Sequence, residues 1–257
     1  MNQMIKNKLF WALGISLAIA ACNQSDKKEE EPKTTDTTAT VKTEVAPPAV
    51  PDAVAAAPNF YKVLSDTMGI RIVEVTYKPG DSSVWHSHPD YAIYTAEGGT
   101  VTFYGKDGAK MERELKTGAI MIKPAEFHSA KNTGKTNLKV ILFEVNRPMG
   151  TMTWDVAKDA AKVAANNYKV AADTMGIRVL QINYKPGESS VMHSHPDQAL
   201  YVITDGKTEF TDKDGKKNVA EFKKGMTMIA PGAIHSVKNI GTTTMKAILV
   251  EVSRPAK

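Results

Sequence analysis

The chain has 257 residues, of which 42% are hydrophobic, and it carries a formal net charge of +5 at pH 7. This length supports two ordinary domains with their own cores, so neither a metal nor a disulfide is needed merely to fold the protein. Two of the positive charges, Lys6 and Lys8, belong to a leader, and the others form no basic block. The charge distribution therefore argues against nucleic acid as a partner.

Residues 1–21 have the pattern of an export signal. Two lysines precede an apolar run from Leu9 to Ala21, which is too short to span a bilayer comfortably. The run ends in Ile-Ala-Ala-Cys and resembles the lipobox of bacterial lipoproteins, which implies cleavage before Cys22 and lipidation of that residue. Cys22 is the only cysteine in the chain, although a plain secretory signal with a chance cysteine is the alternative.

Residues 22–58 have the composition of a disordered tether. They are rich in Lys, Glu, Thr, Pro and Ala, with too few large apolar side chains to offset the entropy lost on ordering. Asn23 after the cysteine argues against retention in the inner membrane. We therefore expect a protein of the bacterial cell envelope, anchored to the outer membrane through Cys22, on its periplasmic or its surface face.

The rest of the chain is one unit written twice. At an offset of 107 positions, Tyr61–Pro148 aligns with Tyr168–Pro255 without a gap, and roughly half of the positions are identical. This predicts a tandem duplication, with a first domain over 59–150 and a second over 167–257. The intervening residues 151–166 are rich in Ala and Lys and predict a short, partly helical linker.

Short β-branched and aromatic segments, separated by Gly and Pro, predict strands throughout the first unit. In chain order these are Arg71–Tyr77, Val84–His88, Tyr91–Thr95, Thr100–Tyr104, Lys110–Leu115, Ala119–Ile122 and Leu138–Val145. Asp107-Gly108, and Asp214-Gly215 in the second unit, are typical of hairpin turns. Many short strands without a long helical period predict an all-β sandwich or barrel in each unit.

The six histidines all obey the repeat. Each unit contains the string HSHPD and one later histidine, which gives the sets His86, His88, His128 and His193, His195, His235. In a strand, side chains at i and i+2 point to the same face, so the two histidines of each string project together. Three imidazoles suit a divalent transition metal, with Fe favoured and Mn, Ni, Zn or Cu as alternatives, and leave positions for water or substrate.

The spacing around these histidines resembles both motifs of the cupin superfamily. The first motif runs from Gly80 through HSH to Gly99, and the second runs from Gly118 through Pro124 and His128 to an asparagine, with both motifs repeated in the second unit. The resemblance implies two tandem double-stranded β-helix (jelly-roll) barrels, a bicupin. It also implies that the histidines ligate metal.

One position departs from the family pattern. Where cupins usually have a ligating glutamate, the spacing places Ala92 and Ala199. The resemblance therefore implies a site of three neutral histidines, whose uncompensated metal charge would favour anionic ligands or substrates. Cupins with three histidines include thiol and β-diketone dioxygenases that use Fe(II).

Other residues shared by the units are weaker candidates for contacts around the site. Asp90 and Asp197 can hydrogen-bond an imidazole or, as we favour, a loop amide after the proline. Tyr94 and Tyr201 can enter the pocket, although a core position is the commoner case. Arg71 and Arg178 can bind a carboxylate or lie at the surface, and strand alternation does not fix which way Glu144 and Glu251 face.

Two functions fit this pattern. The first is an envelope-anchored, metal-dependent dioxygenase or related enzyme that acts on a small anionic molecule. The second is a non-enzymatic lipoprotein that binds or senses a metal or small ligand. A decayed cupin whose histidines no longer bind metal is the remaining alternative, but both units retain all three histidines while neighbouring residues have diverged. The sequence contains no signal for an oligomeric state.

Overall fold

The computed structural model describes residues 50–256, so the export signal, Cys22 and most of the predicted tether lie outside the described residues. The described part consists of 18 strands and three short helical segments. None of the helices in this part is long and apolar enough to cross a membrane.

The first unit contains one short helix and nine strands. They are α1 (Ala53–Ala56), β1 (Tyr61–Thr67), β2 (Ile70–Tyr77), β3 (His86–His88), β4 (Asp90–Glu97), β5 (Gly99–Tyr104), β6 (Lys110–Leu115), β7 (Ile120–Lys123), β8 (Glu126–Asn132) and β9 (Leu138–Val145). The strand pattern missed β1 and β8, because their mixed polar and apolar residues do not alternate cleanly.

The second unit repeats this order after a short 3₁₀ helix. Its elements are the 3₁₀ helix (Val156–Lys158), α2 (Ala160–Val163), β10 (Tyr168–Thr174), β11 (Ile177–Tyr184), β12 (His193–His195), β13 (Asp197–Val202), β14 (Gly206–Asp212), β15 (Lys217–Phe222), β16 (Thr227–Ala230), β17 (Ala233–Asn239) and β18 (Met245–Val252). The helical linker was predicted over 151–166, and both helical segments lie within it.

Each unit forms two antiparallel sheets that face each other. In the first unit the strand orders are β1-β2-β9-β4-β7 and β3-β8-β5-β6, and the second unit has the same two orders at the corresponding strands. Non-sequential neighbours such as β9 between β2 and β4 are typical of a jelly roll. The predicted fold class, two tandem all-β jelly-roll barrels, is confirmed.

The central strands β9 and β18 are buried on both faces. One face of each strand lines its own barrel and the other packs against the second barrel, so seven of the eight residues of β9 and of β18 are buried. This double burial explains the nearly continuous apolar runs in the sequence, since a strand buried on both faces has no polar alternation.

The two barrels share one hydrophobic core between their five-stranded sheets. It contains the same seven positions from each unit: Ile70, Ile72, Ala92, Tyr94, Ile141, Phe143 and Val145, with Ile177, Val179, Ala199, Tyr201, Ile248, Val250 and Val252. Two further cores fill the barrel interiors. The described part is therefore one compact body rather than two separate barrels on a flexible linker.

Residues 50–58 belong to the folded domain, which corrects their assignment to the tether. Asp52 caps α1 by accepting a hydrogen bond from the Val54 amide, and Ala53 and Ala57 are buried in the first barrel. The same features recur in α2 with Asp159 as the cap. Sequence pattern missed α1 because a helix of four residues is too short to show a helical period.

Two arginine-aspartate pairs cross between the barrels. Arg147 donates to Asp197 at 2.8 Å, and Arg254 donates to Asp90 at 2.8 Å. Both arginine side chains are almost fully buried. Each arginine also donates through Nε to the tight turn of its own unit, at the carbonyl of Met68 or of Met175. The repeated Arg-Pro near the end of each unit is therefore part of the contact between the barrels.

Candidate metal centres

The histidines of each unit come from two neighbouring antiparallel strands. In the first barrel His86 on β3 lies directly opposite His128 on β8, and His88 follows on the same face of β3. In the second barrel His193 on β12 lies opposite His235 on β17. Strand alternation places both histidines of HSH on one face of the strand, and that face is the one that carries the third histidine.

The two sets have the same geometry. Within each set, one ligand nitrogen from every ring lies within 4.8 Å of the others. The three ring-centroid separations are 4.9, 4.8 and 5.3 Å in the first barrel and the same in the second. The three histidines that the sequence groups in each unit therefore lie together in the structure.

Hydrogen bonds at Nδ1 direct the Nε2 atoms of His86 and His88 towards the site. The Nδ1 of His86 donates to the carbonyl of Val84 at 2.7 Å, and the Nδ1 of His88 lies 2.8 Å from a carboxylate oxygen of Glu144. A carbonyl or carboxylate only accepts, so the proton of the neutral ring sits on Nδ1 and the Nε2 lone pair faces the site. This is the arrangement that orients ligating histidines in metal sites, and the residues fit a divalent ion.

Glu144 links His88 to a chain of charged groups. Its second oxygen accepts from Nε of Arg71 at 2.7 Å, and Arg71 in turn pairs with Asp52, the cap of α1. Glu144 is fully buried. Arg71 is therefore neither a surface residue nor a substrate anchor, because both of its carboxylate partners belong to the protein.

The second barrel repeats the same four-residue chain. Glu251 accepts from His195 at 2.6 Å and from Nε of Arg178 at 2.6 Å, and Arg178 pairs with Asp159 at 2.8 and 2.9 Å. The sequence left the facing of the two glutamates open. They hold one histidine of each set and are not themselves members of the ligand groups.

A tyrosine that the sequence did not select stands beside each first histidine. The hydroxyl of Tyr61 lies 2.9 Å from Nε2 of His86, and the hydroxyl of Tyr168 lies 3.0 Å from Nε2 of His193. Burial raises the pKa of both tyrosines well above the usual value, so both remain protonated and donate to Nε2, where a bound metal would replace this hydrogen bond. The sequence hinted at these tyrosines only because the same residue type occurs at this position in both units.

Burial keeps three of the histidines neutral. Desolvation lowers the pKa of His86 and of His193 to about 4, and that of His235 to about 3, because the charged ring would lose water without gaining a counter-ion. These rings are therefore in the metal-binding protonation state at neutral pH without any help from a metal.

The metal-free protein should lose stability as the pH falls from about 6.5 to about 4. In this window the unfolded chain binds protons at these histidines while the folded chain, with pKa values near 4, does not, so acid favours unfolding. Thermal melts between pH 7 and 4 measure the effect. A variant with His86 and His193 replaced by Gln should show a flatter dependence, and an equally steep one would contradict this assignment.

The alanines at the expected glutamate position do not face the histidines. Ala92 and Ala199 lie in the core between the barrels. The inward residues of β4 are Tyr91 and Ile93, which line cavities that also contain His128. The one-residue error follows from strand alternation, since a shift by one position exchanges the two faces. The conclusion that the ligand set lacks a carboxylate is unchanged, because neither Tyr91 nor Ile93 is acidic.

The remaining candidates lie outside the ligand sets. Asp90 accepts from the Ala125 amide at 2.7 Å, Asp197 accepts from the Gly232 amide at 2.8 Å, and each also pairs with the arginine of the opposite barrel. They hold loops, as favoured, and do not contact an imidazole. Tyr94 and Tyr201 pack against each other between the barrels, with tilted rings whose centroids are 5.9 Å apart, and neither lines the cavities beside the histidines.

The surroundings of the third histidine differ between the units. In the first barrel Tyr91 donates to Glu126 at 2.5 Å, and Glu126 lies 3.6 Å from Nδ1 of His128 and 2.9 Å from Lys123. Burial opposes ionisation of Glu126, but these three neighbours outweigh it and lower its pKa to about 2. The second barrel has Gln198, Ala233 and Ala230 in place of Tyr91, Glu126 and Lys123.

Comparison with known proteins identifies both units. A family model described as Cupin domain matches residues 73–144 and 180–251. None of the curated protein sequences matches the chain.

Among solved structures, AerE from Microcystis aeruginosa has 14% identity and a TM-score of 0.54, over 75% of this chain and 91% of that chain. A Bacillus subtilis oxalate decarboxylase with Mn(II) centres has 14% identity and a TM-score of 0.52, over 80% and 72%. At these identities the likeness shows the fold.

Proposed function

Because the chain belongs to the cupin family, with one cupin domain in each repeat, we propose that it is a metal-binding lipoprotein of the bacterial cell envelope that acts on a small anionic molecule. The observation that carries the proposal is the pair of matching three-histidine sets, each with one ligand nitrogen per ring within 4.8 Å of the others. Fe is the favoured metal, and Mn gains support from the oxalate decarboxylase of the same fold.

The ligand set supports an anionic substrate. All three ligands of each set are neutral imidazoles, so the charge of a divalent ion stays uncompensated and attracts an anion to the positions that the histidines leave. When bound, such an ion would polarise the substrate and, as Fe, supply redox chemistry with O₂. A metal-dependent dioxygenase is therefore the reaction class that we favour.

The protein's own residues would orient and enclose the reaction. Glu144 and Val84 fix the rings of His88 and His86, and the hydroxyl of Tyr61 stands next to Nε2 of His86 as a protonated donor. Apolar side chains such as Leu142 line the small inner cavity of about 60 Å³ beside His88 and His128, which limits the water near the site.

The envelope location rests on the sequence. The lipobox-like end of the leader supports lipidation at Cys22, and the following polar segment supports a tether between the membrane and the barrels. Membrane fractionation of a Cys22→Ser variant tests the anchor. We expect that variant in the soluble fraction, and continued membrane association would overturn the proposed lipidation.

Metal analysis of the mature protein tests the metal sites. We expect about two metal ions per chain, about one after His86→Ala with His128→Ala, about one after His193→Ala with His235→Ala, and none when all four changes are combined. A metal content that does not depend on the histidines would overturn the proposal.

Oxygen uptake then distinguishes an enzyme from a binding protein. Fe(II)-loaded protein should consume O₂ with at least one member of a panel of thiols, β-diketones and small carboxylates, oxalate included, and the histidine variants should not. Fully loaded protein that is thermally stabilised by a panel member without consuming it would instead establish the non-enzymatic alternative.

A further inference from the structure

A second, larger cavity opens beside the metal site of the first barrel. Its volume of about 590 Å³ is in the range of small-molecule pockets. Apolar side chains make up much of its wall, among them Phe103, Met111, Leu115 and Met121. Phe103 also packs edge-on against His128, with the ring centroids 5.1 Å apart.

This cavity continues into the metal site. Tyr91, Phe103 and His128 line both the large cavity and the small inner one that contains His88 and Tyr61. A molecule whose apolar body lies against Phe103 would therefore have one end next to the histidines. Its other end would reach towards the edge strand β6.

One positive charge that borders this cavity, Arg113, has no carboxylate partner among the described residues. Lys123 is neutralised by Glu126 at 2.9 Å, whereas no carboxylate among residues 50–256 lies within 4.0 Å of the Arg113 guanidinium. Arg113 is exposed, but it pairs across the sheet with the buried Val101, so it lies on the inward face of the edge strand β6. Glu114 also borders the cavity, but strand alternation directs its side chain to the opposite face.

We propose that the first barrel binds a small organic acid in this cavity, with the apolar body against Phe103 and Met111 and the carboxylate paired with Arg113. An arginine guanidinium matches a carboxylate through two parallel hydrogen bonds, which makes it a selective anchor. The proposal deepens the proposed function, because it assigns substrate class and orientation to the first of the two metal sites.

The second barrel lacks this anchor. At the positions of Met111, Arg113, Lys123, Glu126 and Phe127 it has Asn218, Ala220, Ala230, Ala233 and Ile234. The histidines are the same in both units, and so are the wall residues Phe103 (Phe210) and Met121 (Met228), whereas Arg113 and its polar surroundings are not. Selection for the organic acid therefore belongs to the first barrel.

Calorimetric titration with 4-phenylbutyrate and its neutral amide tests the anchor. Metal-free mature protein is used, so that a carboxylate cannot bind through a metal ion. We expect the acid to bind at least about 10-fold more tightly than the amide, and Arg113→Ala to remove this preference. Arg113→Glu should reverse the preference, so that the cationic 4-phenylbutylamine binds more tightly than the acid.

Lys110→Ala is the matched control, because Lys110 is a cation on the same strand but on the opposite face and does not line the cavity. It should leave the preference for the acid unchanged. An unchanged preference in Arg113→Ala, or an equal loss in Lys110→Ala, would overturn the proposed anchor. Metal content, measured separately, should not change in Arg113→Ala, so failure of the anchor is distinct from failure of the metal sites.

Discussion

Glu144→Ala is expected to weaken metal binding in the first barrel by about 10- to 100-fold and to lower the free energy of unfolding by about 3–5 kcal/mol. The carboxylate accepts from His88 on one oxygen and from Arg71 on the other, and it is fully buried. Its removal leaves the Nδ1 proton of His88 without an acceptor and Arg71 with only Asp52 as a partner. The ring is then free to turn away from the site.

The loss of metal affinity in Glu144→Ala should be confined to the first barrel. Metal affinity is measured by competition with a chelator in a background that lacks His193 and His235, and stability by urea denaturation. Glu144→Gln is the matched control, because it preserves shape and one acceptor while removing the charge, and it should be milder on both measures. Unchanged metal affinity in Glu144→Ala would show that His88 is oriented by something other than this glutamate.

Arg147→Ala is expected to reduce the stability and metal affinity of the second barrel more than those of the first barrel, to which Arg147 belongs. Arg147 lies in the first unit, but its guanidinium pairs with Asp197, which directly follows His195-Pro196 and also holds the Gly232 amide ahead of β17. Removing the arginine leaves a buried aspartate without its charged partner, which destabilises by about 3–5 kcal/mol. It also releases the two segments that present His195 and His235.

The mirror-image variant is the control for this cross-barrel effect. Arg254→Ala removes the partner of Asp90 and should weaken the first metal site instead. Metal affinity of each site is measured in the two backgrounds in which the other histidine set has been replaced. A double-mutant cycle with Asp197→Ala isolates the pair, and a coupling energy near zero would contradict the proposed link.

Sequence reasoning grouped the candidate metal ligands because two regularities coincide at these histidines. Strand alternation places His86 and His88 on one face, and the 107-residue repeat identifies His128 as the third member by its recurrence at His235. The barrel fold followed from the same repeat and from the short strand segments. These features depend on spacing along one chain, which a single sequence records.

Other features were not accessible because they depend on packing between distant segments. The facing of Glu144 was undecidable since β9 is buried on both sides and has no polar alternation. The role of Asp52 was missed because its four-residue helix is too short to show a helical period. The crossed pairs, such as that of Arg147 with Asp197, join residues that are far apart in the sequence. They are close only because the two barrels pack against each other.

The core shared by the barrels uses the same seven positions from both units, and the crossed arginine-aspartate pairs exchange the same two residue types in both directions. This is the geometry of an isologous twofold dimer, built here within one polypeptide. Covalent fusion makes the association independent of protein concentration. Fusion also allows the two halves to differ, as at Glu126, where the second half has Ala233. In a homodimer every substitution would appear in both halves.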